Sequence, residues 1–463
     1  AAMSSALSIA SRSRVEASPG FPMGEQATSS GAITDNRLML YPMLQRLKRI
    51  PSLTLLAILA GAALVRFYRL GRPDSLVFDE VYYVDGARDF LKFGVEVTGS
   101  DPEFIVHPAV GKWVIALGIA IFGDTSFGWR AVGAAIGVAS VLLIYLIAKR
   151  LFSSELIALL AASLLAIDGL AIVMSRTALL DNTLTFFVLL AFYSLIGQKY
   201  LLMGVALGLA LATKWSALYF IVAFTLLASV QVIRSREHSS TPKELLKIFL
   251  GNLISFVLYL ISWLGWFISN RGWARDSSDN PLVALWNYHR EIYGFHSNLS
   301  VEHNYRSHPW SWLVMGRPTS FFYQSPEGCG SDQCSQEILA LGNPLLWWFG
   351  TIAIASLIGY WLHRRDAVST VILIGFVAGY LPWFLFPDRT MFTFYAVVIL
   401  PFLILAVAFL ANELLLHFRH AKAVITLGFT LVFLTFLYFL PIQIASIITY
   451  DQWQARMWLE SWI

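Results

Sequence analysis

Charge is what this sequence has least of. Asp, Glu, Lys and Arg make up 13% of its 463 residues, and 57% are hydrophobic. A soluble globular chain carries about 25% charged and about 45–50% apolar residues, so a surface bathed entirely in water is excluded. Cysteine is almost missing. Cys329 and Cys334 stand alone in a polar stretch, too few for a zinc site of about four ligands. They read as a small disulfide-closed loop in an oxidising compartment, with two free thiols as the open alternative. A leader is lacking too: residues 1–35 are small and polar, without the apolar stretch of a signal peptide, and read as a disordered tail with an arbitrary first residue. The net charge of +4 is scattered, which leaves no basic face for nucleic acid. There is no internal repeat and no dense acidic cluster for a metal.

Apolar runs are what fills the chain. A bilayer span needs about 20 such residues. Runs occur near 51–68, 126–148, 155–174, 178–197, 200–213, 216–233, 245–268, 344–362, 367–386, 392–411 and 422–445. They predict an all-α polytopic membrane protein with about eleven transmembrane helices. Residues 1–49 form a cytoplasmic tail and 50–463 one transmembrane domain. The odd count puts the termini on opposite sides.

Short-loop Lys and Arg set the orientation. Arg46, Lys48 and Arg49 precede the first run. Lys149, Arg150, Lys199, Arg234, Arg236, Lys243, Lys247, Arg364, Arg365, Arg419 and Lys422 fall in alternate connections on that same side, which is therefore cytoplasmic. The opposite side carries two long segments, about 71–125 and 269–343. Basic residues there run against the rule: Arg88, Lys112, Arg130, Arg176, Lys214 and Arg389. Charge kept at or within the membrane points to function.

The first outer segment reads PDSLVFDEVYYVDGARDFLKF over 73–93. Its spacing predicts an amphipathic surface helix, with Val81, Val84, Ala87, Phe90 and Leu91 on one face. Asp85–Arg88 and Asp89–Lys92 form i,i+3 pairs on the other. Asp79 and Glu80 begin it. Spacing alone leaves them balanced between helix capping and catalysis. His107-Pro108 then marks a turn before a short apolar stretch that reads as half-inserted or re-entrant. A second amphipathic stretch, 280–299, carries His289 and His296, with His303 and His308 beyond. Their spacing puts no two at i,i+4, which suits a wall for an acceptor groove better than a metal site.

These residues resemble a known family. FDE before an aromatic-rich helix, then HPAVGKWVIALG at 107–118, is similar to the protein O-mannosyltransferases, GT-C-type membrane glycosyltransferases that use polyprenyl-phosphate mannose. The usual second proline and leucine of the His-Pro motif are Ala109 and Val110 here. GWRAVGAAIG at 128–137, SRTALLDNTLTFF at 175–187, ATKWSALYF at 212–220, RPTSFFYQ at 317–324, GNPLLWW at 342–348, PDRTMFTFY at 387–395 and the terminal MWLESWI extend the likeness over about 50–463. They resemble the bacterial, actinobacterial-type branch. Eukaryotic members insert a β-trefoil (MIR) domain in the second outer loop, and 269–343 is too short for one. The resemblance thus implies a GT-C fold in a bacterial plasma membrane, with the C-terminus and the active site extracytoplasmic.

The resemblance also implies roles. Mannose passes from polyprenyl-phosphate mannose to a Ser or Thr hydroxyl of a secreted or membrane polypeptide near the Sec translocon, with inversion and without a metal or cofactor. Asp79 is the general base, and Glu80 orients the acceptor or the sugar. Lys214 and Arg389 hold the donor phosphate, with Arg130 and Arg176 as helpers, and His107 and Asp181 organise the site. Intramembrane ion pairing of Arg130 and Arg176, with Asp181 as one candidate partner, is the open alternative. Tyr395 joins the substrate site, although with Trp215, Trp347 and Trp348 it also reads as an interfacial belt. A transferase using another lipid-phosphate sugar or a lipid acceptor, such as the lipid A aminoarabinose transferases, shares the early Asp-Glu and His-Pro. A secondary transporter would show inverted repeats and a midplane site.

Overall fold

The computed structural model describes residues 52–235 and 240–463. The tail 1–49, with Arg46, Lys48 and Arg49, and also Arg236, lie outside the described residues. Helix α1 (Leu53–Phe67) leads into the amphipathic α2 (Glu80–Phe93). A hairpin of β1 (Val97–Thr98) and β2 (Asp101–Pro102) precedes α3 (Val110–Phe122). There follow α4 (Ser126–Phe152), α5 (Glu155–Ile167), α6 (Gly169–Arg176), α7 (Leu180–Ile196), α8 (Tyr200–Leu211), α9 (Ala217–Ile233), α10 (Thr241–Ser262) and α11 (Leu264–Ile268). The second outer segment holds α12 (Pro281–Asn298), one turn of α13 (Pro309–Trp312), β3 (Thr319–Gln324) and β4 (Cys334–Ala340). Then come α14 (Pro344–Arg364), α15 (Ala367–Tyr380), α16 (Leu400–His417), α17 (Ala421–Phe439), β5 (Ile447–Thr449) and α18 (Tyr450–Gln454).

Each apolar run falls on a helix or a helix pair. Among the described residues six helices are long and apolar enough to cross a membrane, or seven if the bent pair α5–α6 counts as one span, and α1, α3, α7, α8 and α9 are shorter apolar helices. Two runs are not single straight helices. The run at 155–174 bends by 58° between α5 and α6, because Asp168 ends one helix and caps the next, accepting from Ala171 N at 2.9 Å. The run at 392–411 starts as a 3-10 stretch, Thr393–Val398, and becomes α-helical only at Leu400, with Pro401 in the first turn.

Alternating helices bring the long connections to one end. Ala178 N donates to Glu80 Oε1 at 2.8 Å, Val110 N to the Ala212 carbonyl at 3.0 Å, and Thr390 N to the Leu299 carbonyl at 2.8 Å. The opposite end gathers the basic loops: Lys149 pairs with Glu155 at 2.8 Å and Arg150 lies over the Tyr193 ring at 5.6 Å. Helices α8 and α10 cross so closely that a Cβ on Gly204 would stand 2.1 Å from the Gly251 carbonyl oxygen, the small-residue contact that substitutes for a hydrophobic driving force within lipid.

The departure from the all-α expectation is a three-stranded antiparallel sheet, β3–β4–β5. Strands of three to seven residues leave no run long enough to register as a span. A Cys329–Cys334 disulfide closes the turn before β4. β5 pairs Thr449 with Cys334, so the C-terminal segment returns to the second outer loop. There Trp462 is buried and donates to the Met315 carbonyl at 2.7 Å, and Arg317 Nη1 donates to the Ile463 carbonyl at 2.9 Å. The 317–324 and terminal motifs therefore build one corner.

The surface pairing of α2 also differs. Arg88 binds Asp124 at 2.9 Å more closely than Asp85 at 3.9 Å. Asp89 accepts from Val97 N at 2.9 Å instead of pairing Lys92. On the apolar face of α2, Val84 and Ala87 are buried within the protein and Val81 and Leu91 are exposed.

Candidate active site

Asp79 sits at the start of α2, where an acid ordinarily caps. It is the N-cap residue, but its side chain makes no capping hydrogen bond. The residue before it, Phe78, is held at φ 47°, a left-handed conformation costly for a bulky side chain. An aromatic cage over-determines it: the Phe78 ring stacks on Phe321 at 4.7 Å and meets Phe394 edge-on at 5.5 Å and Phe392 at 5.7 Å. Burial pushes the Asp79 carboxyl up to about 6; Lys214 opposes this and Asp181 adds to it.

Glu80 has the opposite surroundings. It is fully buried and accepts four hydrogen bonds, from Val77 N at 3.0 Å, Ala178 N at 2.8 Å, Arg130 Nε at 2.8 Å and Arg130 Nη2 at 2.7 Å. Arg130 spends its other donors on the carbonyls of Leu70, Pro73 and Ser75. Arg176 Nη1 donates to the carbonyls of Val65, Arg66 and Tyr68 at 2.8–3.0 Å, compensating the negative end of α1. Glu80 and Arg130 are thus bonded to one another and to the surrounding backbone, and Arg176 is bonded through Nη1 to the end of α1. The ion-pairing alternative is met for Arg130, whose partner at 2.7 Å is Glu80 and not Asp181; among the described residues Arg176 has no carboxylate partner.

Asp181 instead holds Lys214, Oδ1 to Nζ at 2.8 Å, and the ammonium lies 4.4 Å above the Tyr395 ring. Lys214 lines a cavity of about 180 Å³ together with Arg389, His107, His296, Trp215 and Tyr293. Arg389 Nε donates to the His296 carbonyl at 3.0 Å and Nη2 meets His296 Nδ1 at 3.4 Å, whereas its Nη1 is buried without a partner among the described residues. His107 Nδ1 is likewise buried and unpartnered. Burial, then Lys214, holds the His107 imidazole well below its usual range, and burial pulls His296 down to about 4, so both rings are neutral. A lysine, a half-bonded arginine and a neutral imidazole around one cavity fit an anion with several acceptor oxygens. Leu218, Tyr219 and Phe386 complete its lining, and Leu218, Val222 and Leu226 continue an exposed apolar stripe along α9. Cationic within and apolar at the mouth, the cavity suits a lipid-linked anion.

Several site residues escaped the sequence reading. Tyr83, one helical turn after Asp79 and so on its face, is raised by burial and by Asp79, Asp181 and Tyr395. Trp215 is a cavity wall instead of a belt residue. Its Nε1 donates to Tyr259 Oη at 2.9 Å, which meets His289 Nε2 at 2.6 Å, and His289 Nδ1 meets the Leu285 carbonyl at 2.8 Å. Trp347 is fully buried and donates to Asp168 at 3.0 Å. Helix α12 was expected to wall an acceptor groove; the structure sets its Tyr293 and His296 against the cation-lined cavity. Among the described residues no three His, Cys, Asp or Glu side chains are grouped to hold a metal ion.

Comparison with known proteins adds a second line of observation. Residues 56–267 match the family model of dolichyl-phosphate-mannose–protein mannosyltransferases, and residues 281–462 match that of the C-terminal four-transmembrane region of protein O-mannosyltransferases. The chain is 34% identical to a polyprenol-phosphate-mannose–protein mannosyltransferase of Mycolicibacterium smegmatis, over 88% of this chain and 92% of that one. For the protein of the same description from Corynebacterium glutamicum the identity is 31%, over 88% and 92%. Among solved structures, the S. cerevisiae Pmt1-Pmt2 protein O-mannosyltransferase complex bound to its sugar donor superposes with a TM-score of 0.76 at 18% identity, covering 89% of this chain and 92% of that one. ArnT from Cupriavidus metallidurans bound to undecaprenyl phosphate gives 0.56 at 16%, covering 81% and 63%.

Proposed function

The chain belongs to the protein O-mannosyltransferase family and is a multi-pass membrane enzyme of that class, and from this premise we propose how its residues carry the reaction. Polyprenyl-phosphate mannose is the donor, its phosphate held by Lys214 Nζ and Arg389 Nη1 with His107 beside them, and its prenyl chain leaving along α9. Asp79 takes the proton of a Ser or Thr hydroxyl. The hydroxyl oxygen bonds to the anomeric carbon as the bond from that carbon to the phosphate oxygen breaks, inverting the sugar and releasing polyprenyl phosphate with the electron pair. A base poised near the working pH contributes about 10²–10⁴-fold, and an Asp79 raised to about 6 suits that role. Cations fixed where charge develops supply the larger share, and in this reading they stand where a divalent metal would otherwise be required. Asp181 positions Lys214, and the Phe78 cage positions Asp79. The site opens on the extracytoplasmic side of a bacterial plasma membrane, where polypeptides emerge from the Sec translocon.

The observation that carries this reading is the Nη1 of Arg389, buried and without a partner among the described residues, in the cavity shared with Lys214. Purified protein is assayed with polyprenyl-phosphate mannose and a Ser/Thr-rich peptide, with and without EDTA. Transfer that survives EDTA is expected. Strong inhibition by EDTA would overturn the metal-free mechanism, and transfer with a different lipid-phosphate sugar but not with this donor would overturn the substrate.

A further inference from the structure

The cation-lined cavity has an aromatic wall with no part in the chemistry proposed above. Trp215 stands in the turn between α8 and α9, directly after Lys214 and three residues before Leu218, and all three line the cavity. Its ring is half-buried and lies against the His289 ring, 5.6 Å apart at 27°. One face is thus covered by α12, and the rest is left to the cavity.

The indole is also held by its edge. Trp215 Nε1 meets Tyr259 Oη at 2.9 Å, Tyr259 Oη meets His289 Nε2 at 2.6 Å, and His289 Nδ1 meets the Leu285 carbonyl at 2.8 Å. Only one arrangement of protons fills this chain. A carbonyl only accepts, so Nδ1 carries the imidazole proton. Burial holds His289 below its usual range, so the ring is neutral and Nε2 accepts. Tyr259 Oη must then donate to Nε2, which leaves its lone pairs for Trp215 Nε1, a group that only donates. Each link has one direction, and removing any of them leaves a neighbour unpaired. The outer end is anchored as well. Tyr288 Oη accepts from Ile105 N at 2.8 Å and donates to the Ile105 carbonyl at 3.1 Å, and His296 Nε2 meets the Val106 carbonyl at 2.9 Å. The α8–α9 turn, α10 and α12 therefore converge on the orientation of one ring.

The place of that ring says what it meets. Lys214, one residue back, is the cation assigned to the donor phosphate. Leu218, one turn on, begins the exposed apolar stripe of α9 with Val222 and Leu226, along which the prenyl chain leaves. Trp215 falls between them. Its one hydrogen-bond donor is engaged by Tyr259, so it offers a ligand only its apolar ring. We propose that Trp215 seats the first isoprene unit of the lipid-phosphate donor, the unit bonded to the phosphate, and that Tyr259 and His289 are positioning residues that fix the indole for that contact. The inference rests on the donor reading above and deepens it: the cavity recognises the start of the lipid as well as the phosphate.

The test uses the full chain in proteoliposomes. Tyr259→Phe keeps the ring and loses both hydrogen bonds. It is expected to raise the KM for polyprenyl-phosphate mannose by about two- to tenfold, the size of one neutral hydrogen bond, with kcat, the peptide KM and the melting temperature near wild type. His289→Leu is expected to do the same, whereas His289→Gln, whose amide oxygen can accept the same proton, keeps the wild-type donor KM. In the wild-type background, polyprenyl phosphate with a diazirine on its first isoprene unit is expected to label the segment 212–220, a readout that needs neither transfer nor a variant that folds. An unchanged donor KM in both Tyr259→Phe and His289→Leu would overturn the positioning role. Equal shifts in the KM of both substrates with a lowered melting temperature would make the chain of bonds purely structural and overturn it too. Labelling elsewhere, or labelling of 212–220 only from a probe on the sugar, would put another part of the donor against Trp215 and overturn the isoprene contact. Labelling of 212–220 by the isoprene probe without transfer to any peptide would support the lipid site while overturning the protein-mannosylating reading.

Discussion

Arg130 grips Glu80 from two directions, Nε on Oε1 at 2.8 Å and Nη2 on Oε2 at 2.7 Å, with both side chains buried. The neighbouring acid, Asp79, has no such bonds. Two consecutive carboxylates thus have opposite environments, one saturated and one left open. Removing one partner of a buried pair strands the other charge, at about 3–5 kcal/mol. Glu80→Gln is therefore expected to lower thermal stability in detergent by that order, with activity falling as the fold is lost. A Glu80→Gln variant that melts like wild type yet fails to transfer mannose would return Glu80 to the chemistry.

Asp79→Asn should do the reverse. Transfer is expected to fall by about 10²–10⁴-fold, the usual share of a general base, while the melting temperature holds or rises. The sign follows from linkage. The folded carboxyl titrates near 6 against 3.8 unfolded, so between those values the folded state binds the extra proton. Its contribution to stability therefore declines as pH rises from 3.8 to about 6 and is flat above. The amide removes that penalty. In wild type, kcat/KM should climb with pH through about 6 as the base ionises and then level off. A flat profile from pH 5 to 8 would remove Asp79 as the titrating base.

Much of this arrangement was legible in the sequence, and the reasons for the rest are physical. Helices follow from apolar runs, and basic loops from their placement, because lipid admits few alternatives. Lys214 and Arg389 stand out because they defy the charge rule, whereas Asp181 and His107 enter only through the family resemblance. The division of labour among the site residues could not be anticipated. Spacing does not reveal that Glu80 and Arg130 face inward while Asp79 stays unbonded, since both acids begin the same helix. Nor does it show that Trp215 faces a cavity and Trp347 a buried carboxylate, because belt and wall tryptophans look alike in one dimension. The sheet was hidden for a third reason: β5 finds its partner more than a hundred residues upstream.

Arg389 offers a separable test of the donor site. Its Nε and Nη2 are engaged by His296, and Nη1 alone is unpartnered among the described residues. Arg389→Gln should lower kcat/KM for the donor by about 10²–10³-fold, as loss of one preorganised charge donor does, and leave the peptide KM nearly unchanged. Asp181→Asn acts through Lys214, which it holds at 2.8 Å. Its effect should therefore be non-additive with Lys214→Gln, since contacting residues couple. Steady-state kinetics of the two single variants and the double variant check this. Full additivity would mean that Asp181 does not position Lys214.

The C-terminal corner carries the last expectation. Trp462 is buried at 1% exposure, donates to the Met315 carbonyl at 2.7 Å and meets Phe439 at 5.9 Å. Arg317, which opens the segment leading into β3, donates to the Ile463 carbonyl. β3 also supplies Phe321, the ring stacked on Phe78. Trp462 and Ile463 therefore support the segment leading into β3, the strand whose Phe321 stacks on Phe78 before Asp79. Trp462→Ala is expected to cost about 3–5 kcal/mol, the range for a buried Trp truncated to Ala, while Trp462→Phe keeps most of the packing and loses the hydrogen bond. At temperatures where the alanine variant is still folded, kcat should fall more than the donor KM changes, because the base is loosened and the cation-lined cavity is not. Unchanged kcat in the folded alanine variant would confine the corner to stability and free Asp79 from its influence.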